Sequence, residues 1–147
     1  MNTIRKLEKK DIGRCLQICK ENFEILKYDR IDDVEKKLME SLNEDNIAQL
    51  QYFVFEEDGI IKWFIGIANV IFAGYIFGVT NLYVAVEHQN KGIGSALLKY
   101  LINKAKERKG EILFLDTQKE WYFKKFGFKT IDSPCDDGRY VMQLNLM

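Results

Sequence analysis

Between Leu82 and Leu98 an apolar, strand-like run, Leu82-Tyr83-Val84-Ala85-Val86, passes through Gln89-Asn90-Lys91-Gly92-Ile93-Gly94-Ser95 straight into residues with helical apolar spacing. Those residue types in that order make an anion cradle. Glycines at 92 and 94 let a ligand approach the backbone, and the first amides of a helix have no intrahelical acceptor and carry the positive end of the macrodipole. A phosphate or pyrophosphate is the ligand such a turn takes. Lys91 beside it reads as a solvated lysine within reach of a phosphate. His88, the single histidine of the chain, reads as a solvated loop residue, with general base as the minority reading.

Three phosphate-bearing ligands compete for the turn. A P-loop requires Gly-x-x-x-x-Gly-Lys-Ser/Thr, and here Lys91 precedes Gly92 instead of following a second glycine. A dinucleotide site comes closer, because Gly92-Ile93-Gly94 opens a helix and Asp116 ends the next apolar run about twenty residues on. Leu97, however, stands where the third glycine belongs, and too little chain follows Asp116 for the further units of a doubly wound sheet. A glycine turn without any ligand is the plain alternative.

The third ligand is acyl-CoA, and it rests on a resemblance. Gln89-Asn90-Lys91-Gly92-Ile93-Gly94 resembles the Gln/Arg-x-x-Gly-x-Gly/Ala signature of the GNAT superfamily of acyl-CoA-dependent N-acetyltransferases. Val84 stands where that family carries the apolar end of its central strand. Tyr122-Phe123-Lys124-Lys125-Phe126-Gly127-Phe128 looks like the family's Phe-Tyr-x-Lys-x-Gly-Phe segment. The resemblance implies an α/β (α+β) fold: a mixed, mostly antiparallel central sheet, helices on both faces, and the order β-α-α-β-β-β-α-β-α-β-β. It implies acetyl-CoA as co-substrate and no metal. By position, backbone of Leu82, Tyr83 and Val84 would pair with the pantetheine arm, and Gln89, Asn90, Lys91, Gly92, Ile93, Gly94 and Ser95 would hold the pyrophosphate. Gly94→Glu is then expected to abolish binding while leaving the fold largely intact.

The implied reaction is direct attack of a primary amine on a thioester. An amine with a lysine-like pKa of ~10.4 costs about 4.6 kcal/mol to neutralise at pH 7. Many relatives place a Glu on the central strand for this, but Val79-Thr80-Asn81-Leu82-Tyr83 contains no carboxylate. A water relay through Thr80 or Asn81, or an acid from the region of Glu21 to Asp29, stays open. The leaving thiolate, with a thiol pKa near ~8.5, needs only about 2 kcal/mol of help. The family usually supplies it with the tyrosine of its second segment. Counted back from Gly127 that position is Phe123, and the tyrosine is displaced to Tyr122, the candidate catalytic residue. One helical residue is about 100° of rotation. Either Tyr122 is core and Phe123 lines the site, or the helix is one step out of register and delivers Tyr122. The missing carboxylate and the shifted tyrosine also motivate an alternative: a non-catalytic acyl-CoA-binding or regulatory module. The partner of an enzyme would be an amine acceptor, small molecule or protein.

With 147 residues, 47% of them hydrophobic, and a single proline, the chain reads as one N-acetyltransferase domain, residues 1–147. Lys plus Arg balances Asp plus Glu at 22 each, so no global field recruits nucleic acid or an anionic membrane. No apolar run reaches membrane-spanning length. Cys15 and Cys19 fall at core spacing, and no Cys/His cluster supplies metal ligands. A reduced, cytoplasmic protein, monomer or homodimer, is the expectation.

The elements that must position the cradle follow from periodicity. Ile4 to Glu8 reads as a strand, and Asp11 caps a helix with Ile12, Cys15, Leu16, Cys19 and Phe23 on one face. A second helix runs from Asp32 to Leu42. From Gln51 the period becomes two, giving a hairpin that turns at Glu57-Asp58-Gly59 and continues from Ile60 to Phe72, then a strand from Tyr75 to Val84. The helix after the glycine turn aligns Ile93, Leu97, Tyr100, Leu101 and Ala105 and ends in Lys104, Lys106, Arg108 and Lys109. A strand over Glu111 to Asp116, a helix over Gln118 to Phe126 and strands over Phe128 to Ile131 and Arg139 to Leu146 complete the chain. Trp63 and Trp121 read as core or sheet face.

Overall fold

A computed structural model describes residues 2–21, 30–69, 75–84, 93–117, 119–132 and 138–147. Its elements come in the expected order: β1 (Asn2–Lys6), α1 (Ile12–Glu21), α2 (Ile31–Ser41), β2 (Gln51–Glu57), β3 (Ile60–Asn69), β4 (Ile76–Val84), α3 (Ile93–Glu107), β5 (Ile112–Thr117), α4 (Glu120–Lys124), β6 (Lys129–Thr130) and β7 (Tyr140–Asn145). Phe23, Phe72, His88 and Cys135 lie outside the described residues.

Seven strands form one sheet in the order β1-β2-β3-β4-β5-β7-β6. All neighbours are antiparallel except β4 and β5. The parallel pair is the one whose connection contains α3, as a crossover requires. Alternation along β2 sends Phe53 and Phe55 to one face and Tyr52 and Val54 to the other, so two cores share the sheet. On the first face Leu97, Leu98, Leu101 and Ala105 of α3 pack against Phe53, Phe55, Trp63, Ile65 and Ile67. On the second, Cys15, Ile18 and Cys19 of α1 and Val34 and Leu38 of α2 cover Tyr52, Val54 and Phe64. Between Phe55 and Glu56 the register slips, with Phe55 opposite Trp63 but Glu56 opposite Ile61. The extra residue, Lys62, flips the parity of β3 and puts Ile61 on the α1 face.

Asp11 plays a different part from a simple cap. A 3-10 turn over Lys9–Asp11 precedes α1, and the Asp11 carboxylate reaches back to accept from the Glu8 amide at 2.8 Å. It also accepts from both terminal nitrogens of Arg5, at 2.7 and 2.9 Å, while Arg5 Nε donates to Glu56 at 3.2 Å. Asp11 is 4% exposed, and a charge so placed needs partners. Burial alone would raise its carboxyl, but the bonds from Arg5 and from the Glu8 amide outweigh that and hold it below the usual carboxylate range. Cys15 and Cys19 are buried and not joined in a disulfide, as their spacing predicts, and burial pushes the Cys15 thiol far above its ordinary range.

Candidate active site

Among the described residues the sheet opens between β4 and β5. β4 pairs with β5 only over Ile76–Gly78 against Ile112–Phe114. Beyond that point β4 keeps β3 as its neighbour, through Val79, Thr80, Tyr83 and Val84, and β5 keeps β7, through Leu115, Asp116 and Thr117. Among the described residues the backbone of β4 past Gly78 therefore has no strand on its β5 side, and Leu82, Tyr83 and Val84 lie on this stretch. Phe64 stands opposite Tyr83 and Gly66 opposite Thr80, so three steps of β4 match two of β3. The bulge falls at Asn81–Leu82, at the mouth of the opening, where such irregularities re-aim a strand.

α3 starts at Ile93, which makes Gly94 and Ser95 the second and third residues of its first turn. Gln89, Asn90, Lys91 and Gly92 lie outside the described residues. Gly94 has a reason that the motif does not reveal. A Cβ built on it would fall 1.5 Å from Cη2 of Trp63, 2.4 Å from Cζ3 and 2.6 Å from Cζ2. The indole thus fills the space where a side chain at 94 would go. Trp63 is 5% exposed and stands opposite Val84 in the register of β3 and β4, while its ring reaches the start of α3. Its Nε1 is buried without a hydrogen-bond partner among the described residues. The expectation that Gly94→Glu leaves the fold largely intact is corrected here: any side chain at 94 meets Trp63 before it meets a ligand.

The short helix α4 sets which aromatic faces the opening. Gly127, at φ 93°, reverses the chain, and the Phe128 amide returns to the Phe123 carbonyl at 3.4 Å. Phe128 then packs edge-on against Phe123 at 5.9 Å between ring centroids, and Phe123 is 6% exposed, inside the core. With Phe123 turned inward, the preceding residue points away by about 100°. Tyr122 is half-buried, its ring edge-on to Phe123 at 5.1 Å and tilted against Phe126 at 5.4 Å. Its hydroxyl lies 3.2 Å from Oγ of Ser95. The structure thus brings Tyr122, not Phe123, to the first turn of α3.

Around this pair several charged side chains are bound to neighbours. Trp121 is 63% exposed, with Lys125 Nζ 5.1 Å from the centre of its ring. Glu120 pairs with Lys124 at 3.3 Å and accepts from the Thr130 hydroxyl, which holds its carboxyl below the usual range. Asp116, the residue a dinucleotide site would need on a ribose, is bound to Arg139 at 2.8 Å. No group of three or more His, Cys, Asp or Glu side chains among the described residues could hold a metal ion. No described helix is long and apolar enough to cross a membrane. Sequence reasoning missed the Ser95 and Trp63 contacts, since each joins residues about thirty positions apart with no local pattern.

Comparison with known proteins agrees with this geometry. The model of the acetyltransferase (GNAT) domain matches residues 48–130. A GNAT-family protein from Desulfovibrio desulfuricans superposes with a TM-score of 0.85 at 14% identity, over 100% of both chains. The ribosomal-protein-S18-alanine N-acetyltransferase of Escherichia coli gives 0.79 at 20% identity, over 99% of this chain and 94% of that one. PaiA N-acetyltransferase of Thermoplasma acidophilum, solved in complex with coenzyme A, gives 0.79 at 18% identity over 99% of each. No curated protein sequence matches the chain. The family match spans more than half of the residues and includes the glycine turn, the sheet opening and the Tyr122 segment, so this chain belongs to the GNAT family of acetyltransferases.

Proposed function

We propose that the chain is a single-domain, cytoplasmic N-acetyltransferase, monomer or homodimer, that moves an acetyl group from acetyl-CoA to a primary amine of a small molecule or a protein. The observation that carries this reading is the opening between β4 and β5, which leaves the backbone of β4 past Gly78 without a strand on its β5 side and ends toward the first turn of α3. The free backbone of β4 past Gly78 is suited to pair with an extended amide-bearing arm. The first amides of α3, with Gly94 and Ser95 in its first turn, suit a pyrophosphate.

In this reading the amine nitrogen attacks the thioester carbonyl carbon, a C–N bond forms and the C–S bond breaks. A backbone amide at the end of β4 would donate to the developing oxyanion. Tyr122 gives its hydroxyl proton to the departing sulfur and is reprotonated by solvent. The strand from Val79 to Tyr83 has no carboxylate, so the amine proton leaves through water or an acid from another segment. That same lack favours the second reading, a non-catalytic acyl-CoA-binding or regulatory module. Release of CoA thiol across an amine library separates the two. Amine-dependent release supports the enzyme, and tight acetyl-CoA binding without release for any amine supports the module.

A further inference from the structure

We propose that a polar pocket at the C-terminal end of α3 binds a small carboxylate, with Arg108 as its anchor, at a site separate from the glycine turn. The pocket has a volume of about 260 Å³, just under the range of small-molecule sites. Its lining includes Lys6 at the end of β1, Glu44, Asn46 and Gln49 from the segment before β2, Gln51 at the start of β2, and Arg108 just past α3. Along α3 the rise from Ser95 to Arg108 is about 20 Å, so a ligand here does not touch the first turn of that helix.

The two cations of the pocket are differently placed. Lys6 Nζ is bound to Glu44 at 3.2 Å, an exposed pair that adds no net charge. Arg108 makes no ion pair among the described residues. Its terminal nitrogens donate to neutral acceptors, the Gln49 carbonyl at 3.1 Å and Oε1 of Gln51, and its guanidinium carbon lies 5.7 Å from the centre of the Phe77 ring. A guanidinium has five N–H groups, so donors remain. The end of α3 does not claim them, because the amides of Arg108, Lys109 and Gly110 already donate to the Lys104, Lys106 and Ala105 carbonyls. The charge is half-buried, and burial alone acts on it, lowering its pKa from the ordinary value. Arg5 is the contrast, raised by its bonds to Asp11 and Glu56.

A carboxylate supplies what Arg108 lacks, one negative charge and a planar pair of acceptors that matches the guanidinium fork. With Oε1 of Gln51 committed to Arg108, its Nε2 has no partner among the described residues and is a second donor beside the fork. The frame is preformed. Asn46 Oδ1 accepts from the Leu50 amide at 2.7 Å and its Nδ2 donates to the Asn43 and Leu50 carbonyls, which fixes the segment that brings Gln49 to Arg108. One uncompensated positive charge among neutral amides suits a single carboxylate on a small polar molecule.

The test is a titration of the nitrogen-15-labelled chain with sodium lactate, a monocarboxylate bearing one hydroxyl, at constant ionic strength kept with sodium chloride and read by two-dimensional NMR. The Arg108 Nε–H and Gln51 side-chain amide resonances should shift and saturate, with a midpoint on the order of millimolar for so small a probe. Arg108→Gln should weaken the response at Gln51 by about tenfold or more, and Arg108→Lys, which keeps the charge and loses the fork, should weaken it less. The wild-type titration decides even where a variant fails to fold. Shifts that rise linearly without saturating, or shifts confined to Gly94 and Ser95, would overturn the proposal. So would a saturating response at Gln51 that a folded Arg108→Gln variant leaves unchanged. Tighter binding of inorganic phosphate than of lactate at the same resonances would overturn the assignment of a carboxylate.

Discussion

Gly94→Ala isolates the contact between α3 and Trp63, and its sign is decided by two opposed terms. Within a helix, alanine for glycine is worth up to about 1 kcal/mol of stability. Against that, the new methyl would lie 1.5 Å from Trp63 Cη2, where carbon atoms rest at about 3.5–4.0 Å, so the indole has to retreat by roughly 2 Å. Trp63 is 5% exposed and held in β3 between β2 and β4, and a ring so placed has nowhere to go without strain. Overpacking of this kind costs about 1–3 kcal/mol and wins. We expect a net loss of about 1–2 kcal/mol, seen as a fall of roughly 2–8 °C in Tm for a chain of this size. Urea unfolding followed by far-ultraviolet circular dichroism measures it without relying on indole fluorescence. Trp63→Phe, which shortens the ring, should carry a cavity cost of its own but make Gly94→Ala neutral or stabilising, a coupling of about 1–3 kcal/mol. Equal costs for Gly94→Ala in the two backgrounds, or a Gly94→Ala protein as stable as wild type, would refute the reasoning and return Gly94 to the ligand.

Tyr122→Phe should reduce kcat roughly ten- to thirtyfold, about 1.4–2 kcal/mol, with little change in KM for acetyl-CoA; a silent substitution removes the acid, and a loss beyond a thousandfold means the residue manages the amine proton instead. Phe123→Tyr places a hydroxyl in the core beside Phe128 and is expected to destabilise by about 1–3 kcal/mol without raising the rate, as unfolding and kinetics on one preparation will show. Asp11→Asn deprives Arg5 of its buried counter-charge and should cost about 3 kcal/mol at pH 7. Because the native Asp11 carboxyl is held low, that contribution is full above about pH 4 and fades as the pH falls through the native value, so the urea midpoints of wild type and variant should converge in acid. Midpoints that stay apart down to pH 2 would contradict it. Cys15 and Cys19 should resist alkylation in the folded protein and react on unfolding, followed by mass spectrometry; rapid native labelling would show that α1 opens.

The elements were legible because each carries its own period. Cys15 and Cys19 fell on the buried side of α1, Val34 and Leu38 on that of α2, and the Asp58–Gly59 turn joined β2 to β3 as the change to period two predicts. The strand and helix that flank the glycine turn were legible, since β4 ends at Val84 and α3 begins at Ile93 as the pattern predicts. What occupies the space at Gly94 was not, because the residue that fills it sits on β3 and arrives only when the sheet forms. The aromatic choice in α4 was likewise left open. A five-residue helix has no periodicity to read, and its rotation is set by Phe123 seeking Phe128 across the positive-φ turn at Gly127. Asp11 was misread in detail for the same reason: its partner Arg5 lies on a strand, and only folding brings the two within 2.7 Å.

The two outermost strands have a bearing on how copies of this molecule meet. At one rim of the sheet stands β6, two residues long, and at the other β1, whose Lys6 is tied to Glu44 at 3.2 Å and whose Arg5 is tied to Glu56 and Asp11. Short, charged borders offer few free backbone groups in a row and make poor templates for another strand. Growth of the sheet from molecule to molecule, the route to ordered aggregates, is thereby discouraged at both ends. Among the described residues the longest run of strand backbone without a strand on one side lies instead in the middle of the sheet, on β4 past Gly78, between β3 and β5. The fold thus guards its outer borders and keeps its adhesive backbone where only a thin, extended molecule can reach it.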